Sequence, residues 1–344
     1  MTGGPGARKG TAIRIARDLI KESGYDCFAP SRAAKEALWR QMSQQKSKRL
    51  LDLDFSVDIP TEMYIAQDEF VDFIGVGNDE LITNLTNLWD NLDEFTNPKI
   101  SREDIVITLP TINILSGSAP GTINEAFTSL ALNGGFFSRM LFISGTYKGE
   151  KITWPTDPDP ELKIQLLKRL KDIKELKGDI HLTSQVRVLL DRIYKSYPGI
   201  MDRRFDSYAQ RRFTHLLKLI IILSASNLSL EPTPKDVLLA NSLLHEIELG
   251  MPTALGEYGK ARNSEVTNTV MELISNAKLP INSRDIWKKI SHDIDKLPTL
   301  NEILQNLVAA EKIQVIRKDG RTLGYLPLID TATDWPPDLL LDNH

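Results

Sequence analysis

Cysteine is nearly absent from this 344-residue chain: one thiol, Cys27, leaves nothing to pair with inside the chain and fits a reducing compartment. Histidine is scarce as well. His181, His215, His245, His292 and His344 are scattered without an H-E-x-x-H or Cys/His cluster, which excludes a zinc site or metalloprotease built on such a motif. Long apolar runs are missing too. The most hydrophobic stretch, residues 216–225, is too short to span a bilayer, and no charged-then-apolar leader opens the chain, so a cytoplasmic protein without a membrane partner is expected. Positive charge is not in excess: a formal net charge of −4 excludes a broadly basic nucleic-acid coat, so any DNA contact has to be local. What remains is ordinary globular composition, 41% hydrophobic and 26% charged, over a length that suits two or three domains with their own cores.

Against that background the first eleven residues carry a chemical pattern. Gly3-Gly4-Pro5-Gly6-Ala7-Arg8-Lys9-Gly10-Thr11 approximates the phosphate-binding loop G-x-x-x-x-G-K-[ST] and runs into a helix-like stretch, residues 12–21. In such a loop, backbone N–H groups and the positive end of the helix wrap nucleotide phosphates, and the lysine reaches the terminal phosphate oxygens. Gly3, Gly4, Gly6, Arg8, Lys9, Gly10 and Thr11 are therefore the candidate nucleotide-binding set, with Lys9 in the lysine role. Two positions depart from the pattern. Arg8 replaces the glycine before the lysine, and Gly10 replaces the hydroxyl residue after it, leaving Thr11, one place late, as the candidate magnesium ligand. The pattern also calls for a buried strand ahead of the loop, where only Met1 and Thr2 stand, so the first strand is expected to be missing.

A second element supplies carboxylates. The apolar run through Tyr64 and Ile65 reads as a buried strand that ends in Asp68 and Glu69, which would put both acids at the carboxyl edge of a parallel sheet beside the loop. There Asp68 can hold magnesium and Glu69 can polarise an attacking water. A further β-branched stretch, broken by Pro110, offers Asn113, Ser116 and Ser118 as γ-phosphate sensors, and the sequence does not choose among them. Arg139, after Gly134-Gly135-Phe136-Phe137-Ser138, stands at the entry to an apolar strand, where an arginine can stabilise charge on a transferring phosphoryl group in its own subunit or a neighbour.

Taken together, the altered loop, the strand ending Gln67-Asp68-Glu69-Phe70, the Leu109-Pro110, Asn113, Gly117-Ser118 stretch and Gly135-Phe136-Phe137-Ser138-Arg139 resemble a family of phage and bacterial P-loop proteins. That family is described as primase-helicase-like, or as replicative helicase-related ATPases. The resemblance runs over roughly residues 1–250. It implies an ATPase using ATP and Mg2+ in phage or mobile-element DNA replication, assembled as a ring and working with other replication proteins on single-stranded DNA. It implies for Lys9 the phosphate role, for Asp68 and Glu69 the metal and water roles, and for Arg139 that of an arginine finger.

The expected architecture is α/β: a P-loop NTPase core, a parallel sheet flanked by helices, over residues 1–150; a helical subdomain over 151–258; a winged helix over 264–328; and a tail over 329–344. The proline-rich run from Trp154 to Pro160 marks the first boundary. Residues 216–225 read as a helix apolar all round and buried in a bundle. Ser31 reads as a helix N-cap, and residues 96–102 as a surface loop. Arg203, Arg204, Arg211 and Arg212 form a basic run, read as a solvated helix face or as a contact to nucleic acid or to a neighbouring subunit's phosphates. In the last domain the third helix carries Asn301, Glu302, Gln305 and Asn306, so phosphate contact falls to Arg317, Lys318 and Arg321 on the hairpin. Two other function classes stay open: an ATP-binding helicase loader or initiation adaptor, and a non-hydrolysing DNA- or protein-binding module.

Overall fold

A computed structural model describes the chain apart from residues 5, 31–34, 46–59, 91, 98–104, 128–134, 146–152, 155–156, 201, 257–263, 278, 292–295, 310–311, 319–320, 329–334 and 342–344. Pro5, Gly134, the Ser31 cap, most of the expected 96–102 loop and the 319–320 turn lie outside the described residues. The fold is mixed α/β and divides into two compact units: Met1–Tyr258 with Trp335–His344, and Gly259–Asp334. The stretches 1–150 and 151–258 thus share one unit.

In the larger unit, helix α1 (Lys9–Glu22) follows the glycine loop and α2 (Lys35–Gln44) precedes strand β1 (Thr61–Gln67). Buried and half-buried residues alternate along β1 through Met63 and Ile65, the period of a strand covered on one face. After it come α3 (Phe70–Ile74) and α4 (Asp79–Asn87); α4 is started by Asn78, whose side-chain oxygen accepts the Leu81 N–H at 3.3 Å. The hairpin pair β2 (Glu94–Asn97) and β3 (Ile105–Thr108) is antiparallel. Strand β4 (Pro110–Ser116) then lies parallel to β1, from Thr61 opposite Pro110 to Gln67 opposite Ser116.

Single parallel bridges widen this two-stranded sheet on both sides. Phe28 bridges to Tyr64 of β1. On the β4 side, Thr2 bridges to both Ser118 and Ser144. The Met1 nitrogen donates to the Ser116 carbonyl at 2.6 Å and the Ser118 N–H to the Met1 carbonyl at 2.9 Å, while Thr2 exchanges bonds with Ile143 and Gly145 at 2.8 and 2.7 Å. The place of the strand expected to be missing is therefore held by these two residues. Their sequence has no periodicity to announce it.

Helix α5 (Pro120–Ala126) leads to the segment around Phe136 and Phe137, whose rings pack with Phe70, Phe127 and Phe142. Four longer helices complete the unit: α6 (Pro160–Lys174), α7 (Ser184–Ser196), α8 (Arg212–Ser226) and α9 (Pro234–Leu255). Asp159, Thr183 and Thr233 cap α6, α7 and α9, the last through a reciprocal box with Asp236. α8 is not buried all round. Leu216 and Ile220 are at most 1% exposed, but Ile221 and Ile222 are 47% and 60% exposed, so the helix presents one buried stripe.

Two members of the basic run, Arg204 and Arg212, are not solvated; Arg211 is half-buried, and the side chain of Arg203 lies outside the described residues. Arg204 pairs with Asp202 at 2.6 Å and donates to the Pro252 and Gly256 carbonyls, satisfying orphan acceptors at the end of α9. Arg212 is 3% exposed, bonds Glu248 at 2.6 Å and Asn241 at 3.0 Å, and lies 4.5 and 4.7 Å from the ring centroids of Tyr197 and Trp335. Tyr208 donates to the same Glu248 at 2.8 Å, and Asn241 donates to the Leu339 carbonyl at 2.7 Å. Trp335 and Leu339 are buried, so the described part of the expected tail packs into the helical core instead of trailing in solvent. Its apolar residues find an aromatic slot beside Arg212.

Among its described residues the smaller unit has three helices, α10 (Ser264–Ser275), α11 (Ser283–Ile290) and α12 (Leu297–Ala309), and an antiparallel hairpin of β5 (Ile313–Lys318) and β6 (Arg321–Pro327). Ile281 adds a bridge to Tyr325. Val270, Ile286, Leu300 and Ile313 are among the residues of its separate core.

Removing the Arg212 guanidinium leaves Glu248 buried and uncompensated. Arg212→Ala is expected to lower stability by about 3–5 kcal/mol, measured by urea unfolding of the full chain. A loss below 1 kcal/mol would contradict the network's role.

Candidate functional site

The carboxyl edge of the β1–β4 pair is where the glycine loop, α1 and the acidic strand end meet. Two glycines let them approach. A methyl group on Gly3 would lie 2.7 Å from the Gly145 carbonyl oxygen, and one on Gly117 would lie 2.5 Å from the Asp68 carbonyl oxygen and 3.3 Å from Ile13 Cδ1. Gly117 also donates to the Gln67 carbonyl at 3.1 Å and accepts from the Phe70 N–H at 2.8 Å, which locks the turn carrying Asp68 and Glu69 onto the end of β4.

The loop folds back on itself through the Ala7 N–H to the Gly4 carbonyl at 3.2 Å. Gly6 has φ 84° and Arg8 has φ 55°, both left-handed, so the glycine expected before the lysine is replaced by an arginine in the conformation a glycine adopts more readily. α1 begins without a side-chain cap, leaving backbone donors of its first turn available to an anion. Lys9 Nζ donates to the Gly3 carbonyl at 2.6 Å and the Gly4 carbonyl at 3.3 Å, so the ammonium lies over the loop it follows.

Asp68 faces the same turn of α1. A methyl group on Gly10 would sit 3.4 Å from the Asp68 carboxyl carbon and 3.5 and 3.7 Å from its two oxygens. Gly10, not Thr11, is the position opposite the carboxylate. Thr11 is exposed and points about 100° further round the helix. Glu69 is exposed, in extended backbone just before α3. Lys9, Gly10 and Asp68 are thus brought together from sequence positions far apart, with Glu69 adjacent.

The remaining predicted residues fall elsewhere. Asn113 pairs with Tyr64, three residues back along β4 from Ser116, about 10 Å short of the edge. Ser116 and Ser118 do reach the edge. The Ser116 hydroxyl donates to the Gln67 carbonyl at 2.6 Å, and Ser118 shares a bond with Thr122 at 2.9 Å. Arg139 lies five residues before Ser144, toward the opposite end of the parallel strands. Its guanidinium bonds Asp90 at 3.2 Å and the Gly135 carbonyl at 3.1 Å, beside the Trp89 ring. These contacts anchor the guanidinium beside Trp89 and Asp90.

Around Trp89 the bundle brings together groups that no sequence pattern joins. Lys218 Nζ sits 3.6 Å from the ring centroid and donates to the Trp89 carbonyl at 3.1 Å, and burial lowers its pKa. His215 is buried against Trp89 and Tyr208, and burial lowers its pKa to about 4 despite its bond to the Ser138 carbonyl. In the smaller unit Arg317 is exposed on β5; the side chains of Lys318 and Arg321 lie outside the described residues. Asn301, Glu302, Gln305 and Asn306 are exposed along α12.

Among the described residues no three His, Cys, Asp or Glu side chains form a metal-binding group, and no helix is long and apolar enough to cross a membrane. No protein-family model matches the chain, and no curated protein matches it.

Gly117→Ala is expected to cost about 1–3 kcal/mol, because the new methyl must displace backbone. Gly121→Ala, where no atom lies within 4 Å, is the control and should be near neutral. Comparing the two melting temperatures checks the close approach.

Proposed function

We propose that the larger unit is a P-loop ATPase that binds ATP with magnesium at residues 3–11 and hydrolyses it in the service of phage or mobile-element DNA replication. The observation that carries the reading is the placing of the Asp68 carboxylate against Gly10 in the first turn of α1, beside Lys9. The sheet order supports it. From Thr2 the chain leaves through α1 and returns at Phe28, beyond β4 and β1, while Ser144 lies on the other side of Thr2. The loop therefore opens at a switch point at the carboxyl ends of parallel strands, the position where α/β sheets bind ligands.

Bound ATP supplies a phosphoanhydride and, through magnesium, charge neutralisation of its phosphates. Lys9 would leave the Gly3 and Gly4 carbonyls for phosphate oxygens, and the uncapped N–H groups of α1 would bind the same anion. Asp68 would hold the ion with phosphate oxygens and water completing its shell, and Glu69 would orient the attacking water. The three-helix and hairpin unit fits a winged helix. There the uncharged and acidic face of α12 leaves Arg317, Lys318 and Arg321 to contact DNA phosphates, so that affinity falls as salt rises.

Two observations favour a second reading, in which the chain is an ATP-binding loader or initiation adaptor that turns over slowly. Gly10 puts no hydroxyl opposite Asp68, and Arg139 is anchored away from the loop. Stimulated hydrolysis would then need an arginine from another subunit.

The decisive assay is magnesium-dependent ATP hydrolysis with and without single-stranded DNA. Glu69→Gln is expected to reduce turnover by about 10²–10⁴-fold with ATP still bound, and Lys9→Ala to weaken nucleotide binding. Turnover insensitive to both changes, or no nucleotide binding by the unmodified chain, would end the proposal. DNA-stimulated turnover selects the motor, and DNA-independent slow turnover the adaptor. In the same assay Gly10→Ser, which restores a hydroxyl beside Asp68, is expected to tighten magnesium–nucleotide binding about 5–10-fold, worth about 1 kcal/mol.

A further inference from the structure

The segment from Trp335 to Leu341 is seated in a groove between α7, α8 and α9, and it reaches that groove only after the chain has built another unit. The chain passes out of the larger unit beyond the end of α9, forms the smaller unit around a core of its own, and rejoins the larger unit at Trp335. The smaller unit is thus attached at both of its ends.

The groove holds this segment as a binding site holds a peptide. Two anchors enter it: the Trp335 ring, 4.7 Å from the Arg212 guanidinium and 5.9 Å from the Tyr197 ring, and Leu339, fully buried in the cluster of Val186, Leu190, Val237 and Leu244. Two neighbouring side chains of α9 read the backbone. Asn241 donates to the Leu339 carbonyl at 2.7 Å, and the Ser242 hydroxyl accepts the Leu341 N–H at 2.8 Å. Asp338 pairs with Arg192 of α7 at 2.6 Å, with both side chains exposed. The segment also shapes itself. Pro336 and Pro337 each fix one φ angle, and the N–H groups of Leu339 and Leu340 donate to the carbonyls of Pro336 and Pro337 at 2.9 and 3.3 Å, closing a single turn. A peptide pre-shaped in this way loses less freedom on docking.

The groove is complete without its occupant. Arg212 keeps Glu248, Asn241 and the Tyr197 ring at 4.5 Å, and Glu248 keeps Tyr208, so departure of the segment strands no buried charge. Docking also has a cost. The Tyr197 hydroxyl, on the ring packed against Trp335, is buried with no hydrogen-bond partner among the described residues, and opening the groove returns it to water.

We propose that residues 335–341 are a releasable clasp: the groove of α7, α8 and α9 is a recognition site for a Trp-Pro-Pro-Asp-Leu-Leu peptide, filled by the chain's own copy, and its opening frees one end of the smaller unit while both cores stay folded. Closed, the smaller unit is held through both of its connections. Open, it is held only through the one that follows α9. The proposal does not depend on the nucleotide reading.

The test has two readings, both on the full chain. In native-state hydrogen exchange the Leu341 amide is expected to exchange at least about 100-fold faster than the Leu244 amide in α9, yet at least about tenfold slower than unstructured chain. Exchange in step with Leu244 would overturn the proposal, because the segment would then be a fixed part of the core. Exchange at the unstructured rate would overturn it too, because nothing would be clasped. The second reading supplies the ligand from outside: a fluorescein-labelled peptide with the sequence of residues 334–342, and the same peptide with alanine in place of tryptophan. Trp335→Ala, which empties the anchor site, is expected to let the peptide bind at least about tenfold more tightly than the unmodified chain does, whose own copy competes at an effective concentration on the order of millimolar. Asp338→Arg, which breaks only the exposed pair with Arg192, is the second variant and should shift binding in the same direction by a smaller factor. Equal binding by the unmodified chain and both variants, or equal binding of the two peptides, would refute the clasp.

Discussion

Two residues of backbone join the halves of the larger unit's sheet. Met1 and Thr2 bond Ser116 and Ser118 on one side and Ile143 and Gly145 on the other, and no other described strand lies between those walls. The glycine loop starts where this join ends. Gly3 lies so close to Gly145 that a Cβ would collide, and Lys9 turns back over the Gly3 and Gly4 carbonyls. Position of the loop, direction of α1 and distance to Asp68 all follow from that short ladder and from the register of β1 with β4.

Charge is spent in the interior. Arg212, Glu248, Tyr208 and Asn241 form a satisfied buried network, and Arg204 closes the end of α9. Burial raises the carboxyl pKa of Glu248, and Arg212 and Tyr208 oppose that rise by bonding the charged form. Such a network stabilises little against an apolar substitute but penalises every arrangement that leaves one member alone. It fixes how α8, α9 and the 335–341 segment meet.

Much of this was legible in the sequence where local chemistry decides structure. The apolar run of β1, the acids at its end and the loop before α1 are each set by a few neighbouring residues. The Thr2 strand was not legible, because two residues carry no period and their pairing depends on Ser118 and Ser144 far along the chain. The roles of Arg204, Arg212 and Arg139 were not legible for a related reason: a run of arginines looks the same whether water or buried carboxylates and carbonyls receive it. Trp335 looked like part of a tail because the ring and guanidinium that cover it lie more than a hundred residues upstream.

The paired walls beside Met1 bear on solubility. An ordinary exposed sheet edge can template the edge of another molecule, and strands added there leave a fresh edge for the next, which is how fibres grow. Here the two walls face one another two strand spacings apart, with Met1 and Thr2 between them. Met1 and Thr2 pair on both sides at once and leave no new edge there, so pairing at that place terminates with them instead of propagating.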